Sequence, residues 1–269
     1  MRGSSRAAVL EGRPAFESAV TSGDPVVVAD ELFAVTALLD DNGTLRRTVA
    51  DPSREGSDKS GLVTQLLGDK VSEGVSGLVA KLAAQRWSQE RDLTDSLERY
   101  GVEAALKGAE DAGAIDRVED ELFRFERVVA ESPQLRDALG NRQGDPTGKA
   151  ELVGSLLRDK ARPETVRLAR QAVLAPRGRR FDRTIDEYLA IAAERRQQLT
   201  AVVTTAVDLT EEQRTRLSGA LQRTYGKPVM LQVVHEEDVI GGIRVQVGDE
   251  VVDGTVLRRL DEAKRHLAS

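Results

Sequence analysis

Asp238-Val239-Ile240-Gly241-Gly242-Ile243-Arg244-Val245-Gln246-Val247-Gly248-Asp249-Glu250-Val251-Val252-Asp253-Gly254-Thr255 is the stretch on which the chain can be read. Apolar Ile243, Val245 and Val247 alternate with polar Arg244 and Gln246, the period of a strand with one buried face. Gly248-Asp249 puts glycine first in a two-residue turn, as a type II′ hairpin requires, and Val251-Val252 begins the return strand. The stretch therefore predicts a tight hairpin. Gly241-Gly242 stands at its entrance, where a missing side chain lets the backbone take positive φ or lets another element pack close. Asp253-Gly254-Thr255 closes it, with Asp253 or Thr255 placed to accept from the first free N–H groups of a following helix.

That order of features resembles the C-terminal signature of the delta subunit of bacterial ATP synthase, the relative of the mitochondrial oligomycin-sensitivity-conferring protein. The residues that carry it are Gly241, Gly242, Ile243, Arg244, Gly248, Asp249, Asp253 and Gly254, continued by a C-terminal segment with spaced Arg258, Arg259 and Arg265. A Gly-Gly pair or a Gly-Asp turn alone is common turn chemistry; their order and spacing up to the chain end make the match specific. All of them read as residues that shape a fold, and none is required to touch a ligand.

Upstream of the hairpin, Val229 to Val234 reads as a strand. Before it, Thr210 and Gln213 form a capping box for a helix carrying Leu217 and Leu221, ended in the expected order by Gly226 and Pro228. Ala201 to Val207 is a further β-rich run. With Leu257, Leu260, Ala263, Lys264 and Leu267 at helical spacing, residues 199–269 are expected to form a small α/β domain of order β-α-β-β-β-α.

The rest of the chain is helical in pattern. Asp24-Pro25 reads as an N-cap with proline in the first turn, opening a helix that carries Val28, Leu32, Phe33, Val35 and Leu39 to a stop at Asn42-Gly43. Leu62, Val63, Leu66 and Leu67 face one side of a short helix ended by Gly68, and Val75, Leu78, Val79 and Leu82 make another. The same text recurs 90 positions later without a gap: Leu32-Phe33 as Leu122-Phe123, Leu45-Arg46 as Leu135-Arg136, Lys59 as Lys149, Leu62-Val63 as Leu152-Val153, Asp69-Lys70 as Asp159-Lys160. Shared helical periodicity aligns leucines, but not also Phe, Arg, Lys and an Asp-Lys pair, so this is an internal duplication.

The constant offset predicts a shared helix. The last helix of the second copy, near Phe181 to Arg196, maps back onto Arg91 to Leu106, which already opens the second copy. One continuous helix is thus expected to close the first bundle through Leu93 and Leu97 and to open the second through Tyr100 and Leu106. Members of the family it resembles open with an Arg-Tyr-containing helix, and Arg99-Tyr100 looks like that opening, although Gly101 replaces a better helix former. The expected fold is mainly α, two tandem helical bundles followed by the α/β domain. Residues 1–88 form the additional copy and residues 89–198 the family-like one, sharing helix 89–108. With each copy enclosing its own core, a chain cut before Gln89 is expected to fold.

Composition narrows the function classes. Of 269 residues, 3% are aromatic and 31% charged, so cores must come from Leu, Val and Ala. The net charge of −6 argues against a nucleic-acid surface, which needs clustered, unopposed Lys and Arg. The basic runs Arg177 to Arg180 and Arg195-Arg196 lie beside acids and read as solvated faces or partner contacts. The chain has no cysteine, and no run approaches the ~20 apolar residues of a membrane span.

No catalytic constellation emerges. His235-Glu236-Glu237-Asp238 sits at a strand end, where successive side chains point to opposite faces and cannot converge on one ion. Gly144-Asp145-Pro146-Thr147-Gly148-Lys149 has three residues between its glycines where a phosphate loop has four, and Ala150 where Ser or Thr must reach magnesium. Trp87 reads as a packing anchor at a helix end. No catalytic, cofactor or metal residue is expected.

The resemblance implies a non-catalytic stator subunit of the rotary ATP synthase. Its helical bundle would receive N-terminal helices of the catalytic alpha subunit, its C-terminal domain would grip stalk subunit b, and it would lie on the cytoplasmic face of the plasma membrane, associated only through the complex. The competing reading, which the duplication alone permits, is a free-standing helical-repeat adaptor.

Overall fold

The computed structural model describes residues 3–141, 143–197, 199–226, 229–236, 241–247 and 250–253. Residues Met1–Ala193 make one compact unit and Glu194–Ser269 a second. The first contains α1 (Gly3–Ser22), α2 (Pro25–Asp41), α3 (Gly43–Ala50), α4 (Gly56–Leu67), α5 (Glu73–Ala84), α6 (Glu90–Asp111), α7 (Ile115–Glu131), α8 (Pro133–Gly140), α9 (Pro146–Leu157), α10 (Pro163–Leu174) and most of α11 (Phe181–Gln197).

The helix bounds repeat the duplication. Pro25–Asp41 returns as Ile115–Glu131, Gly43–Ala50 as Pro133–Gly140, Gly56–Leu67 as Pro146–Leu157 and Glu73–Ala84 as Pro163–Leu174, each displaced by 90. One tertiary hydrogen-bond bracket also recurs. Glu31 accepts from the Ser72 N–H at 2.9 Å, and its counterpart Glu121 accepts from the Arg162 N–H at 2.7 Å, tying α2 to the start of α5 and α7 to the start of α10.

Local chemistry sets these boundaries. The Asp24 carboxylate accepts from the Val26 N–H at 2.8 Å, capping the helix that Pro25 opens. Asp145 does the same for α9, accepting from Thr147 and Gly148 ahead of Pro146. Gly68 ends α4 at φ 41°, a conformation that glycine reaches without a Cβ penalty. Trp87 is 4% exposed and donates its indole N–H to the Leu82 carbonyl at 2.9 Å, the anchor that its position predicts.

The expected shared helix is α6, continuous over Glu90–Asp111. Seven successive residues, Tyr100 to Leu106, are buried, so the helix is enclosed on all sides over that stretch. Gly101 has a packing reason: a Cβ there would stand 2.6 Å from Phe33 Cε1, so only glycine lets α2 and α6 approach this closely. Leu93 lines the interior of the first copy beside Val35, Leu39 and Val79, as expected.

Two expectations are corrected. Tyr100 belongs to the first copy: its ring stacks on Phe16 of α1 at 4.6 Å and its hydroxyl donates to the Val9 carbonyl at 2.6 Å. A helix turns about 100° per residue, so the apolar text of α6 does not say which side meets which copy. The cores are also not separate. One contiguous apolar cluster runs from Ala8 in α1 through α6 to Ala192 in α11.

The second unit holds β1 (Leu199–Thr205), α12 (Glu211–Tyr225), β2 (Val229–His235), β3 (Arg244–Val247) and β4 (Glu250–Asp253). The sheet order is β2-β1-β3-β4, with β1 and β2 parallel and the other pairs antiparallel. The capping box forms, Thr210 accepting from the Gln213 N–H at 3.2 Å and Gln213 from the Thr210 N–H at 2.9 Å, and Gly226 ends α12 at φ 67°. Ala201, Val203, Val229, Leu231, Val245 and Val247 form the core, against which Leu217 and Leu221 of α12 pack. The first five elements of the expected order are present; the last helix, from Gly254 on, lies outside the described residues, as do Gly248 and Asp249.

The hairpin register pairs Arg244 with Asp253 and Val247 with Glu250. Val245 and Val247 point into the core while Arg244 and Gln246 are exposed, the predicted alternation. Gly241 and Gly242 have φ of 65° and 83°. A β-branched side chain is strained there, so Gly242→Val is expected to cost about 1–3 kcal/mol. An unchanged melting transition of the second unit would rule out that strain.

Candidate partner-binding groove

A large concavity lies within the first unit, between α2 of the first copy and the α9–α10 hairpin of the second, with a volume of about 1710 Å³. On α2 it is lined by Asp30, Phe33, Ala34, Ala37, Asp40 and Asp41, positions that repeat at helical spacing along one stripe. On α10 the facing stripe is Val166, Arg167, Arg170, Gln171 and Leu174. Glu151, Leu152 and Ser155 of α9 and Arg158 just after it also line it. Leu152 and Leu174 are 37% and 41% exposed, apolar surface opened to solvent along the cleft.

The walls meet through an ion pair at one site along their length. There the Arg167 guanidinium pairs bidentately with Asp30, at 2.6 and 3.0 Å. A second join is a buried cluster around Arg177, in the loop between α10 and α11. Arg177 pairs with Glu98, with Asp95 at 3.0 Å and with Asp40 at 3.7 Å. Glu98 also accepts from Arg179 at 2.7 Å and from the Tyr188 hydroxyl at 3.0 Å. Asp40 in turn faces Arg46 at 3.8 Å. The cluster therefore ties α2 and α3 to α6, the loop and α11.

Arg177 takes the place in the second copy that Trp87 holds in the first, so one copy is anchored by packing and the other by charge. Its backbone is left-handed, φ 47°, a strained conformation for a residue with a side chain. Burial pushes its guanidinium down, opposed by Asp95 and Asp40. Burial likewise pushes the Asp40 carboxyl up, opposed by Arg177 and Arg46. The expectation that the run Arg177 to Arg180 is a solvated face or a partner contact is thus corrected for Arg177, whose side chain is 7% exposed; Arg180, at 75%, is solvated.

A second buried acid, Glu103, faces α1. It takes a bidentate pair from Arg13 and a bond from Arg99 at 3.0 Å, while Arg13 lies 5.0 Å from the Tyr100 ring centroid. Burial alone raises the Glu103 carboxyl, but Arg13 and Arg99 outweigh it and hold the group below its ordinary 4.5. A depressed carboxyl contributes stability above its unfolded pKa and loses it as pH falls through the folded one. Acid unfolding of the wild type below about pH 4.5 should therefore be steeper than that of Glu103→Gln. Identical acid limbs would mean that Glu103 is not so held.

The residues singled out by sequence lie elsewhere. Arg99 and Tyr100 sit on α6 towards α1; Gly241, Gly242, Ile243, Arg244 and Asp253 are in the sheet unit. Ile243 is half-buried against the second core and Arg244 is exposed. None of these residues lines the groove. Among the described residues no group of His, Asp or Glu is placed to hold a metal ion, and no helix is long and apolar enough to cross a membrane.

The described residues thus form a helical scaffold with an open groove and a small sheet unit. The family model described as ATP synthase delta (OSCP) subunit matches residues 97–267, opening inside the shared helix. ATP synthase subunit delta of Kineococcus radiotolerans is 46% identical over 239 residues, 89% of this chain and 87% of that one. Those of Streptomyces coelicolor and Nocardia farcinica are 44% and 41% identical, covering 100% of this chain and 99% and 100% of theirs, first copy included. The chain belongs to the ATP synthase delta (OSCP) subunit family. It is a non-catalytic, peripheral subunit of the ATP synthase stalk.

Proposed function

We propose that this stator subunit receives N-terminal helices of the catalytic alpha subunit in its helical unit and holds stalk subunit b through its C-terminal unit, at the cytoplasmic face of the plasma membrane. Proton flow turns the rotor, and the head turns with it unless it is held from outside; a rigid link between head and stalk converts rotation into conformational work instead of slip. The reading is carried by the full-length correspondence with delta subunits. The groove offers a helical partner apolar Phe33, Ala34, Ala37, Leu152, Val166 and Leu174 interspersed with Asp, Glu and Arg side chains.

Calorimetry of the full-length chain with a synthetic peptide matching the cognate alpha N-terminus, and separately with the soluble part of subunit b, tests it. Saturable binding of both is expected, each without displacing the other. Binding of neither would leave the free-standing adaptor, against which the signature from Gly241 to Gly254 speaks.

A further inference from the structure

We propose that Asn42-Gly43, the joint between α2 and α3, is a site of spontaneous deamidation, at which the neutral side-chain amide of Asn42 becomes a carboxylate. The Gly43 backbone nitrogen bonds to Cγ of Asn42, closing a five-membered succinimide. Its N–H proton passes to solvent, and the bond from Cγ to the side-chain nitrogen breaks, releasing ammonia. Water then opens the ring at either of its two carbonyls, leaving aspartate or isoaspartate. Water is the one co-reactant, and nothing is oxidised or reduced. This chemistry is independent of the stator role.

The joint leaves both reacting groups accessible. Asn42 is the single residue between the two helices, it is exposed, and its φ and ψ of −112° and 75° belong to neither of them. Gly43 presents a backbone nitrogen with no Cβ beside it. Its N–H is the first of α3, where no carbonyl of that helix faces it, and among the described residues it donates to no acceptor. Two guanidinium groups stand next to it: a Cβ on Gly43 would lie 3.7 Å from Arg46 Nη2 and 3.7 Å from Arg47 Nη1. With the positive end of α3, they favour loss of the N–H proton and the oxyanion that forms on the amide carbon. One solvent-exposed bond restrains the amide, Asn42 Nδ2 donating to the Leu38 carbonyl at 2.8 Å. Ring closure also needs the joint to turn, so it draws on local opening of α3, a helix of 8 residues.

The duplication supplies an internal comparison. Asn42-Gly43 corresponds to Ser132-Pro133 in the second copy. Serine has no amide to lose and proline no N–H to give up, so the site belongs to the additional copy alone. Asn141 is the other asparagine of the chain. A long side chain follows it, that of Arg142, and its own side-chain oxygen accepts from the Gln143 N–H at 3.0 Å. Deamidation of Asn42 removes the donor to the Leu38 carbonyl at the end of α2 and supplies an acceptor at the start of α3, which now has no side-chain cap. The side chain thus changes helices. The isoaspartyl product also lengthens the backbone by one methylene, between the Leu39 and Asp40 carbonyls and Arg46, which donates to both.

The test incubates the folded full chain from neutral to mildly alkaline pH and follows both asparagines by peptide mapping with mass spectrometry. Asn42 should be lost at least about tenfold faster than Asn141, and faster as the pH rises. Gly43→Ala has room for its Cβ and no left-handed backbone to strain, so it should keep the melting temperature and slow the loss at least about tenfold. Asn42→Asp stands for the aspartyl product, and its new cap should slow hydrogen exchange of the Leu45 amide several-fold. Loss of Asn42 no faster than that of Asn141 overturns the proposal. So does a Gly43→Ala chain that loses Asn42 as fast as the wild type, because the attacking nitrogen is then not that of residue 43. A Leu45 amide that exchanges equally in the wild type and in Asn42→Asp overturns the change of cap.

Discussion

A chain that begins at Gln89 is expected to lose the cooperative fold of its helical unit. Sequence periodicity predicts the opposite outcome, because two copies of a bundle should each enclose a core. The structure has one core, and α6 lies in its middle. Leu93 and Tyr100 are 1% and 0% exposed against first-copy partners, Gly101 is covered by Phe33, Gly108 lies under Val26, and Glu103 is paired with Arg13. Each large apolar side chain returned to water forfeits about 1.5–3 kcal/mol, and the pair of Glu103 with Arg13 is lost with α1. Against a typical total of about 5–15 kcal/mol, little remains. The measurement is thermal unfolding by near-ultraviolet circular dichroism together with amide hydrogen exchange. A fragment from Gln89 to Ser269 with a cooperative melt near that of the full chain would show that the second copy is self-sufficient after all.

The second large effect is expected at Glu98. Glu98 is 3% exposed and its carboxylate holds Arg177, Arg179 and Tyr188 at once, so it is where the loop after α10 and helix α11 fasten to α6. Removing Glu98 leaves Arg177 buried with only the longer Asp40 pair and the half-exposed Asp95, and takes the acceptor from the buried Tyr188 hydroxyl, so Glu98→Ala should cost about 3–5 kcal/mol in urea unfolding. The neighbouring acid provides the control. Asp95 also faces Arg177, but its side chain is 49% exposed, so solvent screens the pair and Asp95→Ala should cost about 1 kcal/mol or less. Equal costs for the two alanine variants would mean that burial does not set the strength of this clasp.

Much of the fold is legible in local chemistry. Asp24 before Pro25, Thr210 with Gln213, Gly226 at the end of α12 and the glycines at 241 and 242 each act within a few residues of themselves, so their neighbours in sequence are also their physical partners. The duplication is legible because a repeated text folds into repeated elements, down to the bounds of the helices and the Glu31 and Glu121 brackets. The identical Asp-Glu-Leu-Phe of residues 30–33 and 120–123 carries that bracket in plain sight. Arg177 was not legible as a buried residue. A run of arginines beside acids looks like a solvated face, and only the partners Asp40, Asp95 and Glu98, brought from distant positions, make burial tolerable.

The groove depended on the same kind of information. Ala34 and Ala37 in isolation are good helix formers, and Phe33 is one apolar residue among many. They become one wall of a cleft because Gly101 admits Phe33 and the α9–α10 hairpin, more than 100 residues further on, stands opposite. By itself the sequence determined the capped ends of α2, α4 and α12, that the helical text is written twice, and that a hairpin follows Gly241-Gly242, since capping, periodicity and turn geometry are short-range. Only the tertiary structure decided which side of the shared helix each copy occupies, that their cores merge, and that a groove opens between them. Burial and long-range pairing depend on which surfaces meet, and periodicity states only that a surface is apolar.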